Sequence, residues 1–192
     1  MEWTSVMFER SKAADLIIRS DICHPNTPER RQLVQLALSQ VGRITEIDVS
    51  FRNPSGYLLE LLGHFPRSAP SLRSLRIVNV GKESACPAGF PLTEAPQLHH
   101  LELLRCRFFH WNSNFSALSY LKISEGWRGL FAEPPSTRQF LDALREMPAL
   151  VHLDLKYDLP SDNGTYIPVN LLRLKYLRLS SYMNTFQTFF HI

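Results

Sequence analysis

One short hydrophobic pattern recurs along almost the whole 192-residue chain and restricts the folds that the chain can adopt. In each copy, apolar residues occupy the first, fourth and sixth positions, as Ile44, Ile47 and Val49 do in one clear example. A pattern that returns at a regular interval predicts a chain built from similar short units. The copies fall in residues 13–19, 44–50, 72–78, 98–104, 118–124, 150–156 and 174–180.

A proline stands two residues ahead of the pattern in three of these copies. The three residues are Pro70, Pro96 and Pro148. Proline ends a preceding helix and favours extended backbone in the residue before it. Each of these prolines therefore predicts the boundary between a returning segment and the strand that follows.

The length of the units indicates a type of fold. The copies recur about every 27 residues, and leucine-rich repeats have periods of ~20–29 residues. The last three pattern positions alternate apolar and polar residues, which is typical of a strand with one buried face. Parallel strands need a crossover between them. The sequence therefore predicts an α/β fold, a leucine-rich-repeat-like solenoid of about seven irregular repeats, with a parallel sheet in chain order and helices or loops on the outer face.

Three segments between the predicted strands have helical character. Apolar residues at helical spacing predict one helix over residues 30–40 and a shorter one over residues 57–64. Ser136 and Gln139 have the spacing of a capping box, which predicts a helix continuing through Glu146. We find no linker between these segments, so we expect a single domain over residues 1–192.

From the second copy onward, the middle polar position carries a charge, and its sign alternates from copy to copy. The residues at this position are Ile17, Asp48, Arg76, Glu102, Lys122, Asp154 and Arg178. Because neighbouring strands lie ~4.8 Å apart, a parallel sheet in chain order would place each charge between opposite charges. The apolar residues set the same register independently, and this agreement supports the predicted sheet.

The polar position two residues earlier carries rings in the second half of the chain, namely His100, Tyr120, His152 and Tyr176. Such residues often anchor protein interfaces. We predict that this face binds another protein through Arg76, His100, Glu102, Tyr120, Lys122, His152, Asp154, Tyr176 and Arg178. The alternative is that the charges only neutralise one another and the rings only cover the strands.

Composition disfavours several other functions. With 21 basic and 18 acidic residues the formal net charge is +3, too balanced to predict nucleic-acid binding. No apolar run approaches the ~20 residues of a membrane span, and the N-terminus lacks the features of a secretory signal. Cys23, Cys86 and Cys106 give no disulfide framework. We therefore expect no membrane partner, and a cytoplasmic or nuclear location.

The sequence contains no motif for catalysis, for a cofactor or for a metal. It has no phosphate-binding loop and no nucleophile elbow. His99 and His100 are adjacent, so on a strand they would point to opposite faces and could not chelate together. Cys106 stands where leucine-rich repeats often carry Asn or Cys, so we predict a buried structural thiol. The remaining alternative, an enzyme on a compact α/β fold, would bury both sheet faces and conflicts with the alternating charges.

Several longer segments resemble a known family. EWTSVMFERSKAADLIIRSDI, with the following HPNTPERRQLVQLALSQVGRITEIDVS, resembles the region after the F-box in F-box proteins of mushroom-type, that is basidiomycete, fungi. FPLTEAPQLHHLELLRCRF and FLDALREMPALVHLDL resemble the leucine-rich-repeat-like bodies of these proteins. The resemblance implies that an F-box would dock on the adaptor of a cullin-RING ubiquitin ligase while the repeats hold the substrate.

The chain lacks the F-box itself, which the resemblance would place ahead of Trp3. We therefore expect a fragment of a longer protein, with the ligase adaptor as a partner only if an F-box lies upstream. The first hypothesis is a non-enzymatic protein-interaction module that resembles the substrate-recognition part of an F-box protein. The second is a stand-alone leucine-rich-repeat scaffold or sensor with no ligase role.

Overall fold

Seven β-strands dominate the structure, a computed structural model. It describes residues 2–12, 14–22, 32, 35–51, 67–80, 92–106, 115–124, 136–156 and 167–180. The strands are β1 (Leu16–Ile22), β2 (Ile44–Phe51), β3 (Ser74–Asn79), β4 (His100–Leu104), β5 (Tyr120–Ser124), β6 (His152–Lys156) and β7 (Tyr176–Ser180). All are parallel, and they lie side by side in chain order. The predicted parallel sheet in chain order is confirmed, and this α/β arrangement is consistent with a solenoid.

Helices α1 (Glu2–Arg10) and α2 (Thr137–Arg145) accompany the sheet. Residues 35–38 are also helical, and a short 3-10 turn, Val41–Arg43, leads from them into β2. This agrees with the helix predicted over residues 30–40 where that segment is described. The helix predicted over residues 57–64 lies outside the described residues. Within the described ranges, no helix is both long enough and apolar enough to cross a membrane.

The capping box predicted for α2 is confirmed. The Ser136 hydroxyl accepts a hydrogen bond from the Gln139 backbone N–H at 3.2 Å, and the Ser136 N–H donates to the Gln139 side chain at 2.9 Å. These bonds satisfy two backbone donors that a helix start otherwise leaves unpaired. The helix then buries Phe140 and Leu144 in the core.

Among the described residues, one face of the sheet packs against the hydrophobic core. In β5, Leu121 and Ile123 are buried, whereas the residues between and beside them remain half-exposed. The first apolar residue of a pattern copy lies just before the strand and is fully buried at Leu72, Leu98, Leu118 and Leu150. The apolar pattern therefore builds one continuous core beneath the sheet. The opposite side of the strands, which we call the open face, carries the polar positions.

The first strand differs from the sequence prediction. The pattern predicted a strand over residues 13–19 with Ile17 beside Asp48, but β1 begins at Leu16. Its register pairs Arg19, not Ile17, with Asp48, and a bulge lies between Leu16 and Ile17. The correction extends the alternation of charges to all seven strands, with Arg19 as the first member.

The shift of β1 has an identifiable physical cause. Sliding a strand by two residues keeps the same side chains on each face, so the apolar pattern alone does not distinguish the two registers. Two polar contacts accompany the observed register of β1. The Arg43 guanidinium donates to the backbone oxygen of Ala14 at 2.8 Å, just before β1, and Arg19 forms an ion pair with Glu46 at 2.9 Å.

Candidate protein-binding face

Two rows of side chains cross the open face from strand to strand. The charge row consists of Arg19, Asp48, Arg76, Glu102, Lys122, Asp154 and Arg178. The ring row consists of His100, Tyr120, His152 and Tyr176. All nine residues that the sequence predicted for partner binding lie in these two rows, on neighbouring strands β3 to β7.

The centre of the charge row is a closely bonded network. Arg76 donates to Asp48 at 2.9 Å on one side and to Glu102 at 3.1 Å on the other. Lys122 donates to the second oxygen of Glu102 at 3.0 Å. Glu102 is 12% exposed, so its carboxylate is largely removed from water and accepts charge-assisted hydrogen bonds from both neighbouring strands.

These contacts keep the central cations charged. The hydrogen bond to Asp48, aided by the charge of Glu102, raises the pKa of Arg76 despite partial desolvation. The hydrogen bond to Glu102 likewise raises the pKa of Lys122 above its ordinary value. The centre of the row is therefore an array of paired ions at neutral pH.

The two ends of the charge row are more loosely held. At the β7 end, Arg178 lies 4.0 Å from the Asp154 carboxylate and its side chain is 61% exposed. At the β1 end, Arg19 is 69% exposed and pairs with Glu46 instead of with the row member Asp48. Exposed ion pairs of this kind contribute little to stability because water and salt screen them. The guanidinium groups at the ends can reorient toward a partner at small cost.

The ring row is a continuous stack of four rings. His100 and Tyr120 have centroids 4.2 Å apart and planes inclined by 9°. Tyr120 and His152 are 4.3 Å apart at 18°, and His152 and Tyr176 are 4.1 Å apart at 9°. The strand spacing of ~4.8 Å brings the rings within stacking distance of one another. The sequence predicted the row but not the stacking.

The stacking determines what the row presents to a partner. Both faces of Tyr120 and of His152 are covered by the neighbouring rings. Because the rings stack along the direction that crosses the strands, their edges point away from the sheet. Ring edges carry partial positive charge, and here they also carry the tyrosine hydroxyls and the imidazole nitrogens. The two inner rings of the row, Tyr120 and His152, therefore offer edges with hydrogen-bonding groups and not flat aromatic faces.

His100 joins the ring row to the charge row. Its Nε2 lies 3.9 Å from a Glu102 carboxylate oxygen. Partial burial lowers the pKa of His100; Glu102 opposes this shift, while Arg76 and His152 reinforce it. Burial also raises the pKa of Tyr120, so its hydroxyl stays protonated. These two shifts favour the uncharged forms of His100 and Tyr120 at neutral pH.

We expect the folded protein to lose stability as the pH falls below about 6.5, the ordinary pKa of histidine, partly because of His100. Since its pKa is lower in the folded state, the unfolded chain binds a proton first. The contribution of His100 to stability is fully present above the pKa that this residue has in the unfolded chain. It is lost as the pH falls toward the lower pKa of the folded state. Urea denaturation at about pH 7.5 and about pH 5.5 should show a smaller decrease for His100→Asn than for the unchanged protein. An unchanged decrease in His100→Asn would contradict the assignment.

The structure also places residues outside the predicted set. Lys156 lies on the open face two residues beyond Asp154, at the exposed end of β6. Arg19 was missed because the predicted register of the first strand put Ile17 in its place. Cys106 is buried, with its thiol 3.6 Å from the backbone oxygen of Ile77, so the prediction of a buried thiol is confirmed.

In the part of the chain that the structure describes, no group of three or more His, Cys, Asp or Glu residues could hold a metal ion. The fold and the open face define an α/β protein with a one-sided parallel sheet, paired charges and stacked rings. No family model matches the chain, and neither a curated protein nor a solved structure shows significant similarity to it.

Proposed function

We propose that this chain is a leucine-rich-repeat-like solenoid that binds another protein through its open face. We further propose that it acts without enzymatic activity, as the substrate-recognition part of an F-box protein in a cullin-RING ubiquitin ligase. The observation that supports the proposal is the pair of adjacent rows, one of charged side chains and one of stacked rings, on the open face of five neighbouring strands, β3 to β7. At ~4.8 Å per strand this surface spans roughly 19 Å, enough for a polypeptide segment to lie across it.

The chemistry of the face supports a protein partner. Its rows combine tyrosine, histidine and arginine with carboxylates, and tyrosine and arginine are enriched among the residues that dominate interface energies. The strands hold these side chains at fixed spacing, so little conformational entropy would be lost on binding. The network around Glu102 keeps the centre of the surface rigid.

The leucine-rich-repeat type is supported by three observations taken together. The strands follow one another at about 27 residues, the first leucine of several copies is fully buried, and the Cys106 thiol meets backbone oxygens just after β4. The ligase role rests on the resemblance of the sequence to fungal F-box proteins. In this role the adaptor would be a partner only through an F-box upstream of the chain.

Affinity purification with mass spectrometry tests both parts of the proposal. The baits are this chain, its Tyr176→Ala variant and, where an upstream F-box exists, the extended form. We expect the chain and the extended form to recover a common protein, and only the extended form to recover adaptor and cullin. Tyr176→Ala removes an exposed member of the ring row and should reduce recovery of the common protein at least about tenfold.

An Arg138→Ala variant serves as the matched control, because Arg138 is highly exposed on α2, away from the open face. It should recover the common protein at the unchanged level. Equal recovery by Tyr176→Ala and Arg138→Ala would refute binding through the open face. Dependence on Tyr176 without ligase subunits in the extended form would instead identify a stand-alone scaffold or sensor.

A further inference from the structure

We infer that the outer edge of β7, the edge turned away from β6, binds an extended segment of another protein as an eighth parallel strand. The segment carries a ring, an apolar residue, an acid and a second apolar residue in succession. This inference goes beyond the proposed binding through the open face, because it concerns the backbone edge of the sheet and names both the binding mode and the sequence type of the partner.

Among the strands that the structure describes, β7 is the last of the sheet and pairs with β6 alone. The Tyr176 N–H donates to the backbone oxygen of Val151 at 3.1 Å, just before β6, so the backbone groups of Tyr176 point toward β6. Because these groups alternate in direction along a strand, those of Leu177 and Leu179 point toward the outer edge. Edge strands with such backbone groups are templates for pairing with a further strand.

The exposure of Leu177 shows that the apolar side of the sheet continues to this edge. Leu121 on β5, Leu153 on β6 and Leu177 on β7 lie in register. Leu121 is 0% exposed and Leu153 is 2% exposed, whereas Leu177 is 43% exposed. An apolar residue on an eighth strand would remove Leu177 from water, and burial of apolar surface favours association.

Strand β5 shows which sequence type fits beside β7. Residues 120–123 read Tyr-Leu-Lys-Ile and residues 176–179 read Tyr-Leu-Arg-Leu, so the two strands are of one type. On both sides of β5 lie strands of the type His-Leu-acid-Leu, at residues 100–103 and 152–155. The second of these also pairs with β7 on its inner side. The repeated register therefore predicts the order ring, apolar, acid, apolar for a strand on the outer side of β7.

The ring row supports a ring at the first position of this segment. Tyr120 stacks with a histidine on each of its two faces. Among the described rings, Tyr176 stacks with His152 alone, and its side chain is 42% exposed. A ring in register on the eighth strand would stack on the second face of Tyr176 at the same spacing from strand to strand.

The charge row supports an acid at the third position. Arg178 contacts the Asp154 carboxylate on β6 at 4.0 Å. Pairing on one side does not prevent pairing on the other, because Arg76 donates to Asp48 at 2.9 Å and to Glu102 at 3.1 Å, on the two strands beside it. A guanidinium has five N–H donors and can serve two carboxylates. An acid on the eighth strand would give Arg178 the same two-sided pairing.

Fluorescence anisotropy with labelled peptides and the full chain tests this inference. The reference probe is VHLDLK, the sequence of residues 151–156. In the sheet, the His152 N–H donates to the Ser119 oxygen just before β5. Backbone N-methylation of the peptide at its His and Asp positions would therefore block pairing with β7, whereas methylation at its two Leu positions would alter the far side. We expect the first methylated peptide to bind at least about tenfold more weakly than the second.

Two variants of the protein locate the binding site. Leu177→Asn should weaken binding of the reference peptide at least about tenfold, because it removes the apolar contact at the edge. Leu172→Asn makes the same exchange at a leucine that is 94% exposed ahead of β7, and it should leave binding unchanged. Thermal unfolding would verify that both variants fold. A peptide with Lys in place of Asp should also bind more weakly, because it would face Arg178.

Several results would overturn the inference. They are no binding of the reference peptide, equal binding of the two methylated peptides, equal loss in the two variants, and equal binding of the Lys peptide. Sedimentation velocity without peptide tests a second copy as the occupant of the edge. Self-association that Leu177→Asn prevents would assign the edge to a dimer interface and would also overturn the inference.

The inference and the proposed function fail in different ways. If a protein is recovered through Tyr176 but the reference peptide does not bind, the proposed function stands and strand addition at β7 is wrong. If the peptide binds with the expected dependence on methylation and on Leu177, but no protein is recovered through Tyr176, strand addition stands and the proposed function falls.

Discussion

Replacing Leu121 with Ala should lower the free energy of unfolding by about 2–5 kcal/mol. Leu121 is fully buried in β5, and the register places Leu101 and Leu153 beside it on the neighbouring strands. Truncation would remove apolar contacts on both sides and leave a cavity in the core that continues beneath the sheet. Urea denaturation followed by circular dichroism measures the loss directly.

Leu172 provides the matched control for this substitution. It is the same residue type, but its side chain is 94% exposed ahead of β7. Leu172→Ala should change the free energy of unfolding by no more than about 0.5 kcal/mol. If both variants lost the same stability, or if Leu121→Ala lost none, a core confined to one side of the sheet would be the wrong description.

The sequence predicted the sheet because, from the second copy of the pattern onward, two kinds of position indicate the same strand register. Buried leucines mark one face of each strand, and charges of alternating sign mark the other. From β3 to β7, sliding a strand by two residues would move its charge away from the opposite charges on the neighbouring strands. Sliding it by one residue would turn its apolar side chains toward water. The capping box of α2 was readable because its two hydrogen bonds involve residues only three apart in the chain.

The first strand was placed wrongly because its sequence lacks this agreement. Ile17 occupies the position where other copies carry a charge, so the opposite-charge rule gave no signal there. Contacts distant in sequence accompany the observed register, including those from Arg43 to Ala14 and from Arg19 to Glu46. A local pattern of residues does not predict such contacts.

The geometry of the candidate site was also only partly predictable. The sequence placed His100, Tyr120, His152 and Tyr176 in one row, but alternation along a strand specifies a face and not a ring orientation. Stacking follows from the strand spacing and from side-chain rotamers. This difference matters for function, because stacked rings expose edges, whereas rings lying flat on the sheet would expose their faces.

The centre and the ends of the charge row have different roles. In the centre, the side chains of Arg76 and Lys122 form charge-assisted hydrogen bonds with Glu102. These bonds connect β3, β4 and β5. At the β7 end, the long contact between Arg178 and Asp154 leaves charge available to a partner. The centre of the charge row therefore fits the alternative in which the charges only neutralise one another. The β7 end fits the prediction of a binding surface.

The Glu102→Lys variant should show how strongly the centre of the row supports the sheet. It replaces two hydrogen-bonded ion pairs, with Arg76 and Lys122, by three adjacent cations on neighbouring strands. We expect the free energy of unfolding to fall by about 1–3 kcal/mol, because opposite-charge neighbours become like-charge neighbours and the site is largely buried. Denaturation at low and at high salt measures the loss, which should become smaller as salt screens the repulsion.

Asp142 offers a close comparison on the surface of α2. It also lies beside two cations, Arg138 at 3.8 Å and Arg145, but more than half of its side chain is exposed. Asp142→Lys should therefore cost no more than about 0.5 kcal/mol. A loss at Glu102 no greater than the loss at Asp142 would show that the sheet is specified by its apolar face alone. A larger loss at Glu102 that decreases with salt would show that the charges help to specify which strands pair.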